Sequence, residues 1–226
     1  LTLKGTSSEA MSVSVKWDGA PAVVCGTNPD NGQFFVGTKA VFAKAAKINY
    51  TKKDIAKNHG TEELGQKLLK CLVHLKKLNI QGVVQGDLLY TDEGITRKNI
   101  DGKPHLTFTP NTITYAVPEG SELSKQIDRA KLGIIFHTTY TGDSLATMNA
   151  QGGADVSSFA QSPDVFFDNA SYKDVSGSAK FTADESEQFY NSIDKLETLL
   201  NSVPRDLSSV LGQNTDFVPM FQMYIN

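Results

Sequence analysis

The sequence predicts an α+β fold made mainly of antiparallel strands with flanking helices. Short apolar segments are separated by Gly, Pro, Asn and Asp residues, which is typical of strands joined by turns. Other segments repeat their apolar residues every three or four positions, which is typical of amphipathic helices. No internal repeat is present, so the sequence does not favour a solenoid.

The first part of the chain has the pattern of an antiparallel meander. Apolar and polar residues alternate over 11–16, which predicts a half-buried strand. Residues 22–25 and 33–37 are apolar segments that predict two further strands, and the turn-forming sequence 28–32 lies between them.

Three helices stand out from their caps and spacing. Thr51 is a suitable N-cap for a short helix over Lys52–His59. The leucines between 64 and 78 follow helical spacing. Near the end of the chain, Thr182 can cap an amphipathic helix over 183–203.

The remaining segments predict several more strands and one more helix. They are strands over 82–90, 105–109, 112–117 and 133–139, a helix over 120–131, and a strand over 164–168 within a loop-rich region from 142 to 180.

The length predicts one domain, or one domain with a small appendage. A chain of 226 residues with a net charge of −3 can bury a core without disulfides or metals. We assign residues 1–203 to this domain and 204–226 to a C-terminal tail. The large apolar residues of the tail indicate either docking on the core or the start of a further module.

Hydrophobicity and cysteine content predict a protein of a reducing compartment. No apolar segment reaches the roughly 18 residues of a membrane span, so no membrane partner is expected. Cys25 and Cys71 lie in apolar surroundings and predict buried free thiols. We therefore expect a cytoplasmic location, in the host cell if the protein is viral.

Charge is distributed unevenly along the chain. Between Lys39 and Lys77 there are ten lysines against three acids, a local charge of +7, whereas residues 140–226 carry twelve acids against four basic residues. A lysine-rich segment attracts phosphate groups, which dominate the affinity for nucleic acids. The alternative is a solvated helix face without a partner.

The segment that carries chemistry is Lys16-Trp17-Asp18-Gly19. A lysine beside a partly buried pocket loses its proton more readily than a solvated one, because desolvation disfavours the ammonium, and it is then an amine nucleophile. Gly19 allows the backbone to approach a ligand closely. The alternative is an edge-strand lysine followed by an Asp-Gly turn. Phosphate loops of the GxxxxGK[ST] or GxGxxG type, GxSxG elbows and metal-spaced His/Cys clusters are absent from the sequence.

This segment resembles the KxDG signature of the covalent nucleotidyltransferases, which comprise ATP-dependent DNA ligases, RNA ligases and GTP-dependent capping enzymes. The resemblance implies a ligase-type, ATP-grasp-like core in which Lys16 attacks the α-phosphate of a nucleoside triphosphate and releases pyrophosphate. It assigns Lys16 and Asp18 to catalysis and Gly19 to nucleotide binding. Lys39 stands where the family usually has an arginine near the nucleotide.

Two later segments extend the resemblance. Val83–Tyr90 resembles the family's strand of two hydrophobic residues followed by Gly-Glu-Leu, with Asp87 in place of the glutamate that supports the sugar or the metal. Residues 132–145 resemble the ligase segment around FDxLYxxGxxL, which makes Phe136 the candidate for stacking on the base.

The last motifs of the family are absent in strict form. In place of EGxxxK, Asp168 is the candidate that would share a metal with Asp87, and in place of KxK, Lys173 and Lys180 are candidates for binding the nucleotide. The chain is also similar to ligase-like proteins of tailed phages, in which GTK, KINYT, QGDL and HTTYTG recur.

The resemblance implies ATP or GTP and Mg²⁺ as cofactors, and RNA or DNA as the partner that faces the lysine-rich segment. The first hypothesis is a polynucleotide ligase that forms lysyl-AMP at Lys16. The second is a catalytically inactive phage protein of the same fold that binds nucleic acid or has a structural role, since the late motifs are missing. The third is an unrelated α+β domain in which KWDG is only a turn.

Overall fold

The computed structural model describes residues 15–171 and 183–202 and confirms the α+β class, with mainly antiparallel strands. Two compact units make up the chain, residues 1–173 and 174–226, so the expected boundary near residue 203 falls within the second unit. The elements of the first unit are β1 (Ala22–Thr27), β2 (Phe34–Gly37), α1 (Lys52–His59), α2 (Glu63–Leu75), β3 (Val83–Thr91), β4 (Thr96–Ile100), β5 (Lys103–Phe108), β6 (Tyr115–Pro118), α3 (Glu122–Arg129), β7 (Leu132–Thr141), β8 (Asn149–Gly152) and β9 (Val165–Asn169). Helix α4 (Ala183–Ser202) belongs to the second unit. None of the helices among these residues is long and apolar enough to cross a membrane.

The larger sheet has six strands, in the order β2-β1-β3-β7-β8, and β9 also pairs with β7. All neighbouring strands are antiparallel except β7 and β9, which run parallel from the pair Leu132↔Val165 to the pair Phe136↔Asn169. The expected strand at 164–168 therefore exists as β9. The long β3–β7 pair forms the centre of the sheet, and several residues of the candidate site lie on these two strands.

The smaller sheet has three antiparallel strands, β4-β5-β6. The predicted pair over 105–109 and 112–117 corresponds to β5 and β6. Strand β4 was not predicted, because its sequence Thr-Arg-Lys-Asn-Ile is exposed throughout and carries no alternating apolar signal. The same lack of a signal explains the missed strand β8, whose four residues are all exposed.

Helices α1 and α2 form where their caps and spacing predict. Thr51 and Asp54 form a capping box, since the Thr51 side chain accepts from the backbone N–H of Asp54 and the Asp54 carboxylate accepts from that of Thr51. Helix α2 buries the leucine face that the spacing defines and then continues as a 3-10 turn over Lys76–Leu78.

The two faces of the larger sheet are buried against different partners. One face packs on α1 and α2 through the largest apolar cluster, which includes both free thiols, Cys25 and Cys71. The expected buried free thiols are confirmed, and burial raises the pKa of both. The other face carries two smaller clusters, one around Val83 and one around Leu89 of β3. Between these two positions β3 presents Gln85 and Asp87.

Only the end of the strand predicted over 11–16 lies within the described residues. Residues 11–14 lie outside the described part, and Val15 and Lys16 are not in a strand. The Val15 N–H donates to the carbonyl oxygen of Ala170, just after β9, over 2.8 Å. Farther along, the Ala20 N–H donates to the Leu88 carbonyl oxygen on β3 over 2.9 Å. The residues on either side of Lys16 are therefore held by segments that come much later in the chain, namely β3 and the residue just after β9.

Candidate active site

A cavity of about 580 Å³ lies where residues 15–19 meet β3 and β7. Its volume is in the range of small-molecule sites. Five separate parts of the chain line it: Val15, Lys16 and Trp17; Lys39; Gln85 and Asp87; His137; and Ala170. The structure thus brings together Lys16, Lys39 and Asp87, which the sequence singled out separately.

Two lysines give one part of the cavity wall a positive charge. Lys16 and Lys39 are both exposed, and neither has a carboxylate within 4 Å in the residues that the structure describes. Lys39 begins a 3-10 turn directly after β2, and Thr38 caps this turn by accepting from the Ala40 N–H. Unpaired cations in a cavity favour an anionic ligand.

Asp87 is the acid of the cavity, and it contacts a histidine. Asp87 Oδ1 lies 3.4 Å from His137 Nε2, and the two side chains are 21% and 28% exposed. His137 Nδ1 lies 2.8 Å from Thr138 Oγ1. Beside this pair, Gln85 is buried and its Oε1 accepts from the Tyr140 hydroxyl over 2.7 Å. These contacts fix the orientations of the Asp87, His137 and Gln85 side chains that line the cavity.

A β-bulge brings His137 to the cavity. Gln85 pairs with Thr138 and Gly86 with Phe136, so β7 holds one extra residue, His137, between these pairs. A bulge turns a side chain away from its regular alternation. The strands also approach closely here, since a Cβ at Gly86 would lie 2.6 Å from the Ile135 carbonyl oxygen. The glycine before Asp87 is therefore required by the packing of β3 on β7.

Phe136 is not part of the cavity, which corrects the expected base-stacking role. Its ring is fully buried in the core beneath the sheet and packs edge-on against Phe159, with the ring centroids 5.4 Å apart. The cause is strand alternation, because Leu132, Ile134 and Phe136 all point to the helix-covered face. The aromatic residue that does line the cavity is Trp17.

Asp18 does not line the cavity either, although it was expected to act in catalysis. Its carboxylate accepts hydrogen bonds from the Asn111 side chain, over 2.9 Å, and from the backbone N–H groups of Thr112 and Ile113, over 2.7 Å each. Its own N–H donates to the Tyr115 hydroxyl over 2.9 Å. The aspartate of KWDG therefore ties this segment to the loop between β5 and β6.

We expect substitution of Asp18 with asparagine to lower the free energy of unfolding in a pH-dependent way. The hydrogen bonds from Ile113, Asn111 and Thr112 lower the pKa of Asp18 below its usual value of 3.8. A carboxylate with a lowered pKa stabilises the fold above its unfolded-state value, and this stabilisation is lost as the pH falls through the folded-state value. Urea denaturation from about pH 5 to about pH 2 measures the effect.

The difference in stability between wild type and Asp18→Asn should be largest at the upper end of this pH range and should shrink toward the lower end. A difference that stays constant with pH would show that the carboxylate charge of Asp18 does not hold the loop.

Gly19 is required because the chain packs directly on Asp87 at this point. A Cβ on Gly19 would lie 2.5 Å from Asp87 Cβ and 3.0 Å from both the Asp87 carbonyl carbon and the Leu88 carbonyl oxygen. Two of these three neighbours are backbone atoms and cannot move aside easily. The glycine of KWDG therefore allows this segment to pack directly on the backbone of β3 at Asp87.

We expect Gly19→Ala to lower the free energy of unfolding by about 1–3 kcal/mol, the usual cost of overpacking. Urea denaturation measures this loss. Gly94→Ala is the matched control, since nothing lies within 4 Å of a Cβ at Gly94. Equal stability of the two variants would contradict the close packing of Gly19 on Asp87.

Asp168, the second predicted metal ligand, is not brought to the cavity. Asp168 lies on β9 opposite Ile135, and Ile135 also pairs with Asp87, so the two carboxyl residues occupy one row of the sheet with a strand between them. This spacing corresponds to roughly 10 Å between their Cα atoms. Asp168 does not line the cavity. Lys173 and Lys180 lie outside the described residues.

The side chains at the cavity suit a magnesium ion only if a bound ligand supplies some of the oxygen atoms that coordinate the ion. Within 15–171 and 183–202, no group of three or more His, Cys, Asp and Glu residues is arranged to hold a metal. Mg²⁺ commonly binds through one or two carboxylates, with substrate phosphates and water completing the shell. Asp87 is placed to provide one such carboxylate at the cavity.

The lysine-rich segment is partly neutralised by acids from elsewhere in the chain. Lys70 pairs with Asp92 and Glu93 at 2.7 and 2.8 Å, and Lys77 pairs with Asp164. Lys67 pairs with Glu63 of the same helix. The other lysines of the segment are exposed and make no ion pair with a described residue: Lys39, Lys44, Lys47, Lys52, Lys53, Lys57 and Lys76.

Five residues that line the cavity were not predicted as functional, and three of them have polar or aromatic side chains: Trp17, Gln85 and His137. Trp17 is the only tryptophan of the chain and lies within KWDG, so the sequence held a signal for it. His137 has no such signal, because only the bulge in β7 places it at the cavity.

Comparison with known proteins gives a family and no function. One protein-family model matches the chain, over residues 1–226, and it describes a family of unknown function, DUF6267. No curated protein and no solved structure shows significant similarity to the chain.

Proposed function

We propose that this chain, which belongs to the DUF6267 family over its whole length, is a nucleotidyltransferase that forms a covalent lysyl-nucleotide at Lys16. One observation carries the proposal: Lys16, Lys39 and Asp87 come from distant parts of the chain and line one cavity of about 580 Å³. A nucleophile, a second cation and an acid in one cavity are the groups that nucleotidyl transfer requires.

The proposed step begins with the neutral amine of Lys16. The nitrogen attacks the α-phosphorus of a nucleoside triphosphate, a nitrogen–phosphorus bond forms, and the bond from the α-phosphorus to the bridging oxygen breaks. Pyrophosphate leaves with the electron pair of that bond. The nitrogen of Lys16, which becomes positively charged when it bonds to phosphorus, releases one proton to solvent. Lys16 is exposed at the cavity and has no ion-pair partner among the described residues, so its amine is accessible to the phosphate.

The neighbouring residues of the cavity support this step. Lys39 carries positive charge toward the phosphates, where it stabilises negative charge that moves to the leaving group. Asp87, held against His137, provides a carboxylate for the sugar hydroxyls or for a magnesium ion on the triphosphate. When bound, that ion would neutralise phosphate charge.

The acceptor is proposed to be a polynucleotide, as in ligases. The exposed lysines of the segment from Lys39 to Lys76 support it, because phosphate contacts by lysine require only charge and access. Transfer of the nucleotide from Lys16 to a terminal phosphate of RNA or DNA would then prepare that end for joining.

A second candidate function is nucleic-acid binding without catalysis. It is favoured by the sequence, in which the late EGxxxK and KxK motifs of the nucleotidyltransferases are absent in strict form. A pure binder would show affinity for RNA or DNA that falls steeply with salt, and it would form no covalent adduct.

The test incubates the full chain with each of the four α-labelled nucleoside triphosphates and Mg²⁺, followed by a denaturing gel. We expect label on the protein from ATP or GTP, and we expect added pyrophosphate to remove it by reversing the reaction. No label from any nucleotide would exclude the transferase and leave the binder.

A further inference from the structure

The cavity has an aromatic wall that the proposed chemistry at Lys16 does not use. Trp17 lines the cavity beside Lys16, and its side chain is only partly buried. Among the described residues, it is the one aromatic residue that lines the cavity.

Trp17 is held in place by a stack of rings that continues into the core. Its ring stacks on Tyr115, with centroids 5.3 Å apart and planes at 29°. Tyr115 in turn stacks on Phe108, at 5.4 Å and 23°, and Phe108 packs on Tyr90. The indole therefore contacts a ring, Tyr115, that is itself packed against the buried ring of Phe108.

The backbone around Trp17 is fixed as well. The Asp18 carboxylate holds the loop between β5 and β6, and the Tyr115 hydroxyl accepts from the Asp18 N–H. The same strand, β6, thus carries the ring behind Trp17 and the hydroxyl that holds its neighbour. A ring ordered in this way loses little conformational entropy when a ligand stacks on it.

We propose that Trp17 is the platform on which the cavity binds a planar nucleobase, next to the triphosphate at Lys16 and Lys39. A ligand that combines a flat aromatic group with a strong negative charge matches an indole beside two unpaired lysines. Stacking is tolerant of base identity because every base has a π-face, so this contact favours nucleotides over other polyphosphates. The inference rests on the proposed function, since it assigns the base-binding part of the same site.

The sole tryptophan makes a direct test possible. Its emission reports on residue 17 alone, so stacking of a base should quench it in a saturable way. The ligands are the α,β-methylene analogues of ATP and GTP, which bind without transfer, and inorganic tripolyphosphate, which has the charge and no base. We expect quenching by an analogue and none by tripolyphosphate, although tripolyphosphate should compete with the analogue.

Two variants complete the test, with affinities measured by calorimetry. Trp17→Ala should weaken binding of the analogue about tenfold to hundredfold and leave tripolyphosphate affinity within about twofold, whereas Trp17→Phe should retain most of the analogue affinity. Retained tripolyphosphate binding also shows that the variant is folded. Equal analogue affinity in Trp17→Ala and wild type would overturn the platform while the transferase proposal stands. If neither analogue nor tripolyphosphate binds to wild type, both proposals fail.

Discussion

Replacement of Lys16 with arginine is expected to abolish the proposed covalent adduct, with a loss of at least about a thousandfold in labelling rate, as for enzymes that lose their nucleophile. Arginine keeps the positive charge, but its guanidinium stays protonated and is not a nucleophile at neutral pH. Binding of a nucleotide should therefore survive while the chemical step is lost. Labelling measured on a denaturing gel, beside affinity measured by calorimetry, separates the two effects.

Lys39→Ala is the matched control, because it removes the other unpaired lysine of the same cavity. We expect this variant to bind the triphosphate more weakly and to react more slowly, and still to become labelled. If Lys16→Arg is labelled as well as wild type, Lys16 is not the acceptor. If Lys39→Ala alone loses the label, the nucleophile is to be sought at Lys39.

Replacement of Phe136 with alanine is expected to lower the free energy of unfolding by about 3–5 kcal/mol, as for other large buried aromatics. Its ring is fully buried against Phe159 beneath the sheet, so truncation leaves a cavity that the surrounding strands and helices cannot fill. Urea denaturation followed by circular dichroism measures the loss.

Phe136→Leu distinguishes a core role from a ligand role. It preserves most of the buried volume, so we expect a smaller loss of stability and unchanged affinity for a nucleotide. A variant that stays stable and yet binds nucleotide more than about tenfold more weakly would restore the base-stacking role of Phe136.

The sequence was most informative where local physics decides the structure. Thr51 caps α1 as predicted, and α2 buries Leu68, Leu72 and Leu75 of its leucine face. The thiols of Cys25 and Cys71 are buried, since their neighbours along the chain are apolar. Local patterns of this kind need no knowledge of the partner element.

The sequence was least informative where two distant segments meet. Phe136 and His137 are adjacent, and only the bulge against Gly86 decides which of them faces the cavity. A regular alternation would not reveal the extra residue. Asp18 likewise looks like a catalytic acid in KWDG, until its hydrogen bonds to Thr112 and Ile113 show that it anchors a loop from the other sheet.

The charge of the lysine-rich segment also depends on contacts with distant parts of the chain. The lysines between 39 and 77 suggested a continuous basic surface, but Asp92, Glu93 and Asp164 come from later in the chain and neutralise Lys70 and Lys77. What remains exposed lies mainly before α2, closer in sequence to Lys39. The basic surface proposed for a polynucleotide is therefore smaller than composition alone suggests.

Peptide mapping by mass spectrometry shows directly whether Lys16 is the residue that becomes attached to a nucleotide. The full chain is incubated with ATP or GTP and Mg²⁺, cleaved with a protease, and searched for a peptide whose mass is increased by one nucleoside monophosphate less water. We predict this increase in mass for the peptide that contains Lys16, with the nucleotide attached to the side-chain nitrogen of Lys16. A nucleotide on another residue, or no modified peptide with any of the four triphosphates, would contradict it.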